Sequence, residues 1–197
     1  MDVNYGNELD APRANARAVV VVCSGLPGTG KSRLAEGIGR GLGISVFSVA
    51  WVLGALAPFG FLERSDRGEI AYALLTALVE HQLRLGQSTI VDGMVGSRHV
   101  RRRLRELADL NGAHFRAIEC VCSDATVHRE RIEARNDPIP GWPDPGWDHV
   151  LDVRRRYAPW TGERLIVDSI RPYDENLVTA ESFVQDTLAP KGFKADR

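Results

Sequence analysis

Unbroken apolar runs alternate along this chain with segments in which apolar residues recur every three or four positions. The first run, Ala18 to Cys23 (AVVVVC), has no polar position in either register, the pattern of a strand covered on both faces in a parallel sheet. In RLAEGIGRGLG, Leu34, Ile38 and Leu42 recur every four residues and predict an amphipathic helix. A second strand is expected over about Ile44 to Ser48, running out into a loop within GISVFSVAWVLG. Next, GEIAYALLTALVEHQLRLGQ carries an apolar stripe through Ala71, Leu74, Leu75, Leu78 and Val79, predicting a long helix that ends near Gly86. STIVDG, Ser88 to Gly93, reads as a third buried strand stopping at Asp92, and a helix follows from about Ser97 with Val100, Leu104 and Leu107 on one face. Phe115 to Ser123 is the fourth strand, and DATVHRERIEAR the helix after it. Four prolines in DPIPGWPDPGW, Asp137 to Trp147, rule out a regular helix or central strand and leave a shaped loop. DHVLDVRRRY returns to helix, Arg164 to Asp168 gives a fifth strand, and DENLVTAESFVQDTL a closing helix. This alternation predicts an open, mostly parallel α/β sheet with helices on both faces.

Composition narrows the classes. At 197 residues, 44% hydrophobic and 26% charged, the chain has the profile of one domain, expected over 18–188, with a polar leader at 1–17 and a short tail at 189–197. A formal net charge of -1 gives no bulk attraction to nucleic acid or anionic membrane, so a small or locally recognised ligand is favoured. Cys23, Cys120 and Cys122 lie in strand-like runs and are odd in number, which points to buried thiols in a reducing, cytoplasmic compartment rather than to disulfides. No run reaches transmembrane length. Oligomeric state is not legible here.

Between the first strand and the first helix lies SGLPGTGKS, in which Gly25, Gly30, Lys31 and Ser32 match the phosphate-binding P-loop. In such a loop (Gly25, Pro27, Gly28, Thr29, Gly30, Lys31, Ser32, with Arg33 following), backbone N–H groups and the next helix N-terminus cradle phosphates. Lys31 neutralises charge and Ser32 ligates Mg2+, which makes a nucleoside triphosphate such as ATP the expected ligand. Asp92 ends an apolar strand where a carboxylate can reach that metal; its other reading is a loop acid. Arg131 and Arg135, four apart, are read on one helical face and Arg129 on another; guanidinium groups there stabilise a transferring phosphoryl group or simply pair with Glu130 and Glu133. The cluster Arg98 to Arg105 reads as a solvated helix face before it reads as a polynucleotide contact. Trp51, Phe59, Trp142 and Trp147 either line an acceptor pocket or anchor loops, and the five histidines show no metal spacing.

GLPGTGKS, TIVDG and HRERIEAR, in this order and with these separations, resemble the small P-loop kinases grouped with chloramphenicol phosphotransferase, zeta toxins and the kinase domain of polynucleotide kinase. RLGQSTIVDG, IECVCSD, HRERIEAR, IPGW and RYAPWTGERLIVD are similar to a bacterial group of AAA-type predicted kinases. The resemblance spans about Val19 to Asn176. It implies a P-loop NTPase three-layer sandwich, adenylate-kinase-like, with strand order 2-3-1-4-5 and a lid over about 124–150. It further implies ATP as phosphoryl donor with Mg2+, Lys31, Asp92, Arg131 and Arg135 as catalytic residues, and Arg129 and Arg171 beside the nucleotide. The implied activity is transfer of the γ-phosphate to a small-molecule acceptor. The other readings are a nucleotide-binding protein with weak or lost kinase activity, and third a polynucleotide 5'-kinase.

One departure bears on the acceptor. In that wider family the second strand ends in a segment whose aspartate acts as general base, and here Ala50, within SVAW, takes its place. Loss of a general base slows a chemical step by ~100 to 10,000-fold, roughly 3 to 5 kcal/mol. Three accounts stay open: another acid substitutes (Asp92, Glu63, Asp66 or Glu69), the acceptor is already an anion, or nucleotide binds without turnover.

Overall fold

β1 (Val19–Gly25) lies at the centre of a five-stranded parallel sheet because it is apolar in both registers. Its odd residues Val19, Val21 and Cys23 enter one core with Leu34, Ile38, Ile118, Ala180 and Val184. Val20 and Val22 enter the other, with Val79, Val91, Leu104, Leu107 and Trp160. Each such valine, fully buried, contributes roughly 1.5–3 kcal/mol of transfer free energy.

The computed structural model describes residues 18–135 and 139–188; the expected leader, the tail and lid positions 136–138 lie outside the described residues. In chain order β1 is followed by α1 (Lys31–Leu42), β2 (Ser45–Ser48), α2 (Val49–Leu56), a 3-10 turn (Ala57–Phe59), α3 (Arg67–Arg84), β3 (Thr89–Asp92) and α4 (Arg98–Leu110). Then come β4 (His114–Val121), α5 (Ala125–Glu133), α6 (Trp147–Arg156), β5 (Leu165–Asp168) and α7 (Tyr173–Leu188). The strand order is β2-β3-β1-β4-β5, all parallel, as expected. Register pairs Cys23 and Ser48 with Asp92, Gly25 with Cys120, and Val121 with Asp168, so the loops that follow these strands leave one edge of the sheet together. In open α/β sheets that carboxyl edge is where ligands bind.

Three local expectations are corrected. β2 does not run out into a loop: Ser48 is extended (φ -100, ψ 128) and α2 begins at once, placing Ala50 in its first turn. No proline or glycine interrupts the stretch before Gly54, and burial of Leu53 and Gly54 gives the helix an inner face. In α3 the buried row is Ala71, Leu75, Val79 and Leu83, while Leu74 and Leu78 stay exposed; the core takes a narrower stripe than the apolar pattern offers. α5 stops at Glu133, so Arg135 lies past the helix rather than on one face with Arg131. Among the described residues no helix is long and apolar enough to cross a membrane.

Candidate functional site

The loop between β1 and α1 can take its shape because glycine stands where a side chain cannot. Gly25 has φ +152, and a Cβ there would run into the Cys120 carbonyl oxygen and lie 2.7 Å from Thr29 Oγ1. Gly28 (φ +81) is closed over by Ile132, 2.7 Å from where its Cβ would be. The Thr29 hydroxyl donates to the Leu26 carbonyl (2.8 Å). His128, buried on α5, donates from Nε2 to the Pro27 carbonyl at 2.7 Å and meets the edge of Trp147 at 5.2 Å between ring centres. α5 thus fastens the outside of the loop while β1 and α1 fix its ends.

Lys31 and Ser32 occupy the first turn of α1. Ser32 Oγ donates to Asp92 Oδ1 (3.1 Å), and Asp92 is 3% exposed at the end of β3. The Lys31 ammonium lies 3.5 Å from the Leu26 carbonyl. Its burial lowers the lysine pKa below the ordinary value, with Arg135 adding to that and Asp92 and Cys120 opposing it. Buried thiols flank the same region: Cys120 is pushed up to about 12 and Cys23 well above the usual range, mainly by desolvation, so neither is a nucleophile at neutral pH. The Ser32 hydroxyl and the Asp92 carboxylate are hard oxygen donors of the kind Mg2+ takes, and the half-buried Lys31 beside them is a cation suited to phosphate. The residues present therefore fit both a metal ion and a phosphate chain.

Two cavities flank the loop. One, of about 350 Å³, is lined by Thr29, Gly30, Arg33, Arg131, Arg171 and Tyr173 among others. Here the Arg33 guanidinium stacks 4.0 Å from the Tyr173 ring, and Arg131 donates to the Ser169 hydroxyl (2.7 Å) and carbonyl (3.0 Å). Arg171 pairs with Glu175 at 3.4 Å. The other cavity, of about 320 Å³, is bounded by Gly25, Leu26, Glu119, His128, Arg154 and Tyr157.

The structure thus brings together the loop residues Gly25 to Arg33, Asp92, Arg131 and Arg171. Arg135 pairs with Asp144 of the proline-rich loop at 3.3 Å and stands near enough to Lys31 to act on its charge. Arg129 is not brought in; it is an exposed partner of Glu133 at 2.7 Å. Of the acids near the acceptor side, Glu63 and Glu69 are exposed and Asp66 is held by Arg64. Two features had no local signal. His128 looks like one more helix histidine until its partner 101 residues away is known. Arg101, within the arginine cluster taken for a solvated face, is 7% exposed and donates from Nε to the Val95 carbonyl (2.7 Å). Val95 itself, buried at φ +41, holds a backbone conformation that costs a β-branched residue about 1–3 kcal/mol.

Comparison with known proteins agrees with the fold. Residues 20–156 match the family described as AAA domain. An uncharacterized protein of Mycobacterium tuberculosis is 30% identical over 176 residues, covering 83% of this chain, while the chain spans about a third (34%) of the length of that relative. A sugar kinase from Janibacter sp. shares the fold with a TM-score of 0.65 at 18% identity, covering 88% of this chain and 96% of its own. A gluconokinase from Sinorhizobium meliloti also gives 0.65 at 18% identity, covering 89% and 95%. The Mycobacterium tuberculosis APS kinase CysC, in complex with AMPPNP and APS, gives 0.57 at 17% identity, covering 86% and 98%.

Proposed function

This chain belongs to the AAA domain family, and we propose that it is an ATP-dependent, Mg2+-requiring phosphotransferase that moves the γ-phosphate of ATP to a small-molecule acceptor. The observation that carries the proposal is the contact of Ser32 with Asp92 beside Lys31, directly after a loop whose Gly25 and Gly28 leave no room for a Cβ. The kinase fold of the similar structures supports it.

In this reading the loop backbone from Gly25 to Gly30 orients the phosphates and Lys31 holds their charge. Ser32 and Asp92 hold Mg2+, which neutralises charge on the phosphate oxygens when bound. Arg33, Arg171 and Tyr173 receive the nucleoside side, where Arg131 is fastened to Ser169. Arg135 reaches toward the transferring group from the lid, and Asp144 sets its direction. Among the described residues, Asp92 is a buried acid in register with Ser48 at the end of β2, so in this reading the acceptor is either oriented by Asp92 or arrives already as an anion.

The second reading, a nucleotide-binding protein with weak or lost transfer, is favoured by Ala50 alone. ATP consumption measured with and without a panel of alcohols, sugars and monophosphates separates the two. Acceptor-stimulated consumption is expected. Tight binding with neither hydrolysis nor transfer across the panel would leave the second reading in its place.

A further inference from the structure

Val95 lies three residues past Asp92, and among the described residues it is the only non-glycine with a positive φ. Its two backbone polar groups are each taken by a side chain from a different helix. The N–H donates to Tyr72 Oη of α3 at 2.7 Å, and the carbonyl accepts from Arg101 Nε of α4 at 2.7 Å. A backbone held in a sparsely populated region persists only where its surroundings over-determine it, and such positions cluster at functional sites.

Arg101 extends the clamp. Its Nη1 donates to the Pro159 carbonyl (3.1 Å), and its guanidinium lies 4.0 Å from the Trp160 ring and 5.0 Å from the Tyr157 ring. Trp160 Nε1 and the Tyr157 hydroxyl both donate to Ser24 Oγ, at 2.9 and 3.2 Å. Ser24 is the residue before Gly25. Gly96, next to Val95, packs under Tyr157 and accepts from the Ala158 N–H (3.0 Å). One continuous set of contacts therefore joins the turn after the metal-side carboxylate to the base of the phosphate loop. Stability alone does not explain it: a buried guanidinium is costly to desolvate, and an apolar residue packed against the same rings would avoid that cost.

We infer that Arg101 is a positioning residue: it ties the strained Val95 turn to the Tyr157–Trp160 brace, and so holds the Asp92 carboxylate in register with Ser32. Arginine suits this because its planar fork reaches two carbonyls in different directions while stacking on the rings, which an ammonium cannot do. The inference rests on the proposed metal role of Ser32 and Asp92. It is distinct from the transfer activity itself.

The test is calorimetric titration of ATP, with Mg2+ and with EDTA, into the wild type, Arg101→Met and Tyr72→Phe. Expected is affinity in EDTA within about twofold of wild type, with the gain given by Mg2+ reduced about tenfold in Arg101→Met and less in Tyr72→Phe. Where turnover is measurable with Mg2+ present, KM for ATP rises in step with the lost Mg2+ gain. Arg101→Lys recovers only part of the Mg2+ effect. Tyr72→Phe removes one hydroxyl and keeps the packing, so it reads the same clamp if Arg101→Met fails to fold. The inference is overturned if both variants keep the full Mg2+ effect, if affinity with and without Mg2+ falls together in step with melting temperature, or if the wild type shows no Mg2+ effect. A wild type that binds Mg2+ and ATP together yet transfers nothing overturns the phosphotransferase reading and leaves this one standing.

Discussion

The phosphate loop is held by contacts from several sides, whereas the α2–α3 side of the molecule leaves Trp51, Phe59, Leu74 and Leu78 exposed and carries a solvent-facing Arg64–Asp66 pair. The loop is fastened from outside by His128 and Ile132, from below by Ser24, and across the sheet by Asp92. The α2–α3 side meets the proline-rich loop through Gly54 and Gly141, whose backbones approach too closely for a Cβ at either position. A triphosphate requires the same oriented dipoles whatever is phosphorylated, so that half can be organised before any ligand arrives. An acceptor is specific to each enzyme, and on the proposed reading its wall would lie where this chain departs from expectation, at Ala50 and in the open α3 face.

Substitutions on the two sides should therefore differ in size and kind. Lys31→Met has the largest expected effect, lowering turnover by ~1,000-fold, as read from ATP consumption. The same change raises the melting temperature of the unliganded protein, because desolvation disfavours the charged lysine in the folded state. The sign follows from the lowered pKa of Lys31. A charged lysine disfavoured in the folded state weakens folding below its folded pKa and has no effect above the unfolded value. The gain is thus full below the lowered folded-state value and fades as pH rises from there through the ordinary lysine range.

Gly25→Ala comes next. The new methyl meets the Cys120 carbonyl oxygen, and because that oxygen belongs to β4, paired on both sides, it cannot move away. Urea unfolding should show a loss of about 2–3 kcal/mol. On the acceptor side, Ala50→Asp should raise transfer to alcohols about tenfold if the first turn of α2 is where the proton is taken. An unchanged rate would assign that step to Asp92 or to an acceptor that needs no base. The smallest change is expected from Leu78→Ser or Phe59→Ser, within about 0.5 kcal/mol of wild type by the same unfolding measurement. A large loss there would mean that the open face is closed in solution and that the contrast between the two halves is false.

The packed half was also the more legible one in the sequence, for a physical reason. A strand buried on both faces must be apolar throughout, and a phosphate loop must carry glycine where no Cβ fits, so Val19 to Ser32 announce themselves locally. Strand order followed from the family resemblance. What stayed hidden depends on distant partners: Arg101 reads as a surface arginine until Pro159, 58 residues on, is seen to accept from it. The bend at Val95 has no signature because valine is a poor residue for it and only Tyr72 and Arg101 make it tenable. α2 was missed because a run of apolar residues after a short strand carries no period that separates helix from loop.

An organised nucleotide site is tested most directly by titration calorimetry of ATP with Mg2+ into the wild-type protein. Saturable binding below ~100 μM that Lys31→Met abolishes is the predicted result. Absence of saturable heat up to ~1 mM ATP, in a protein shown to be folded, would contradict it.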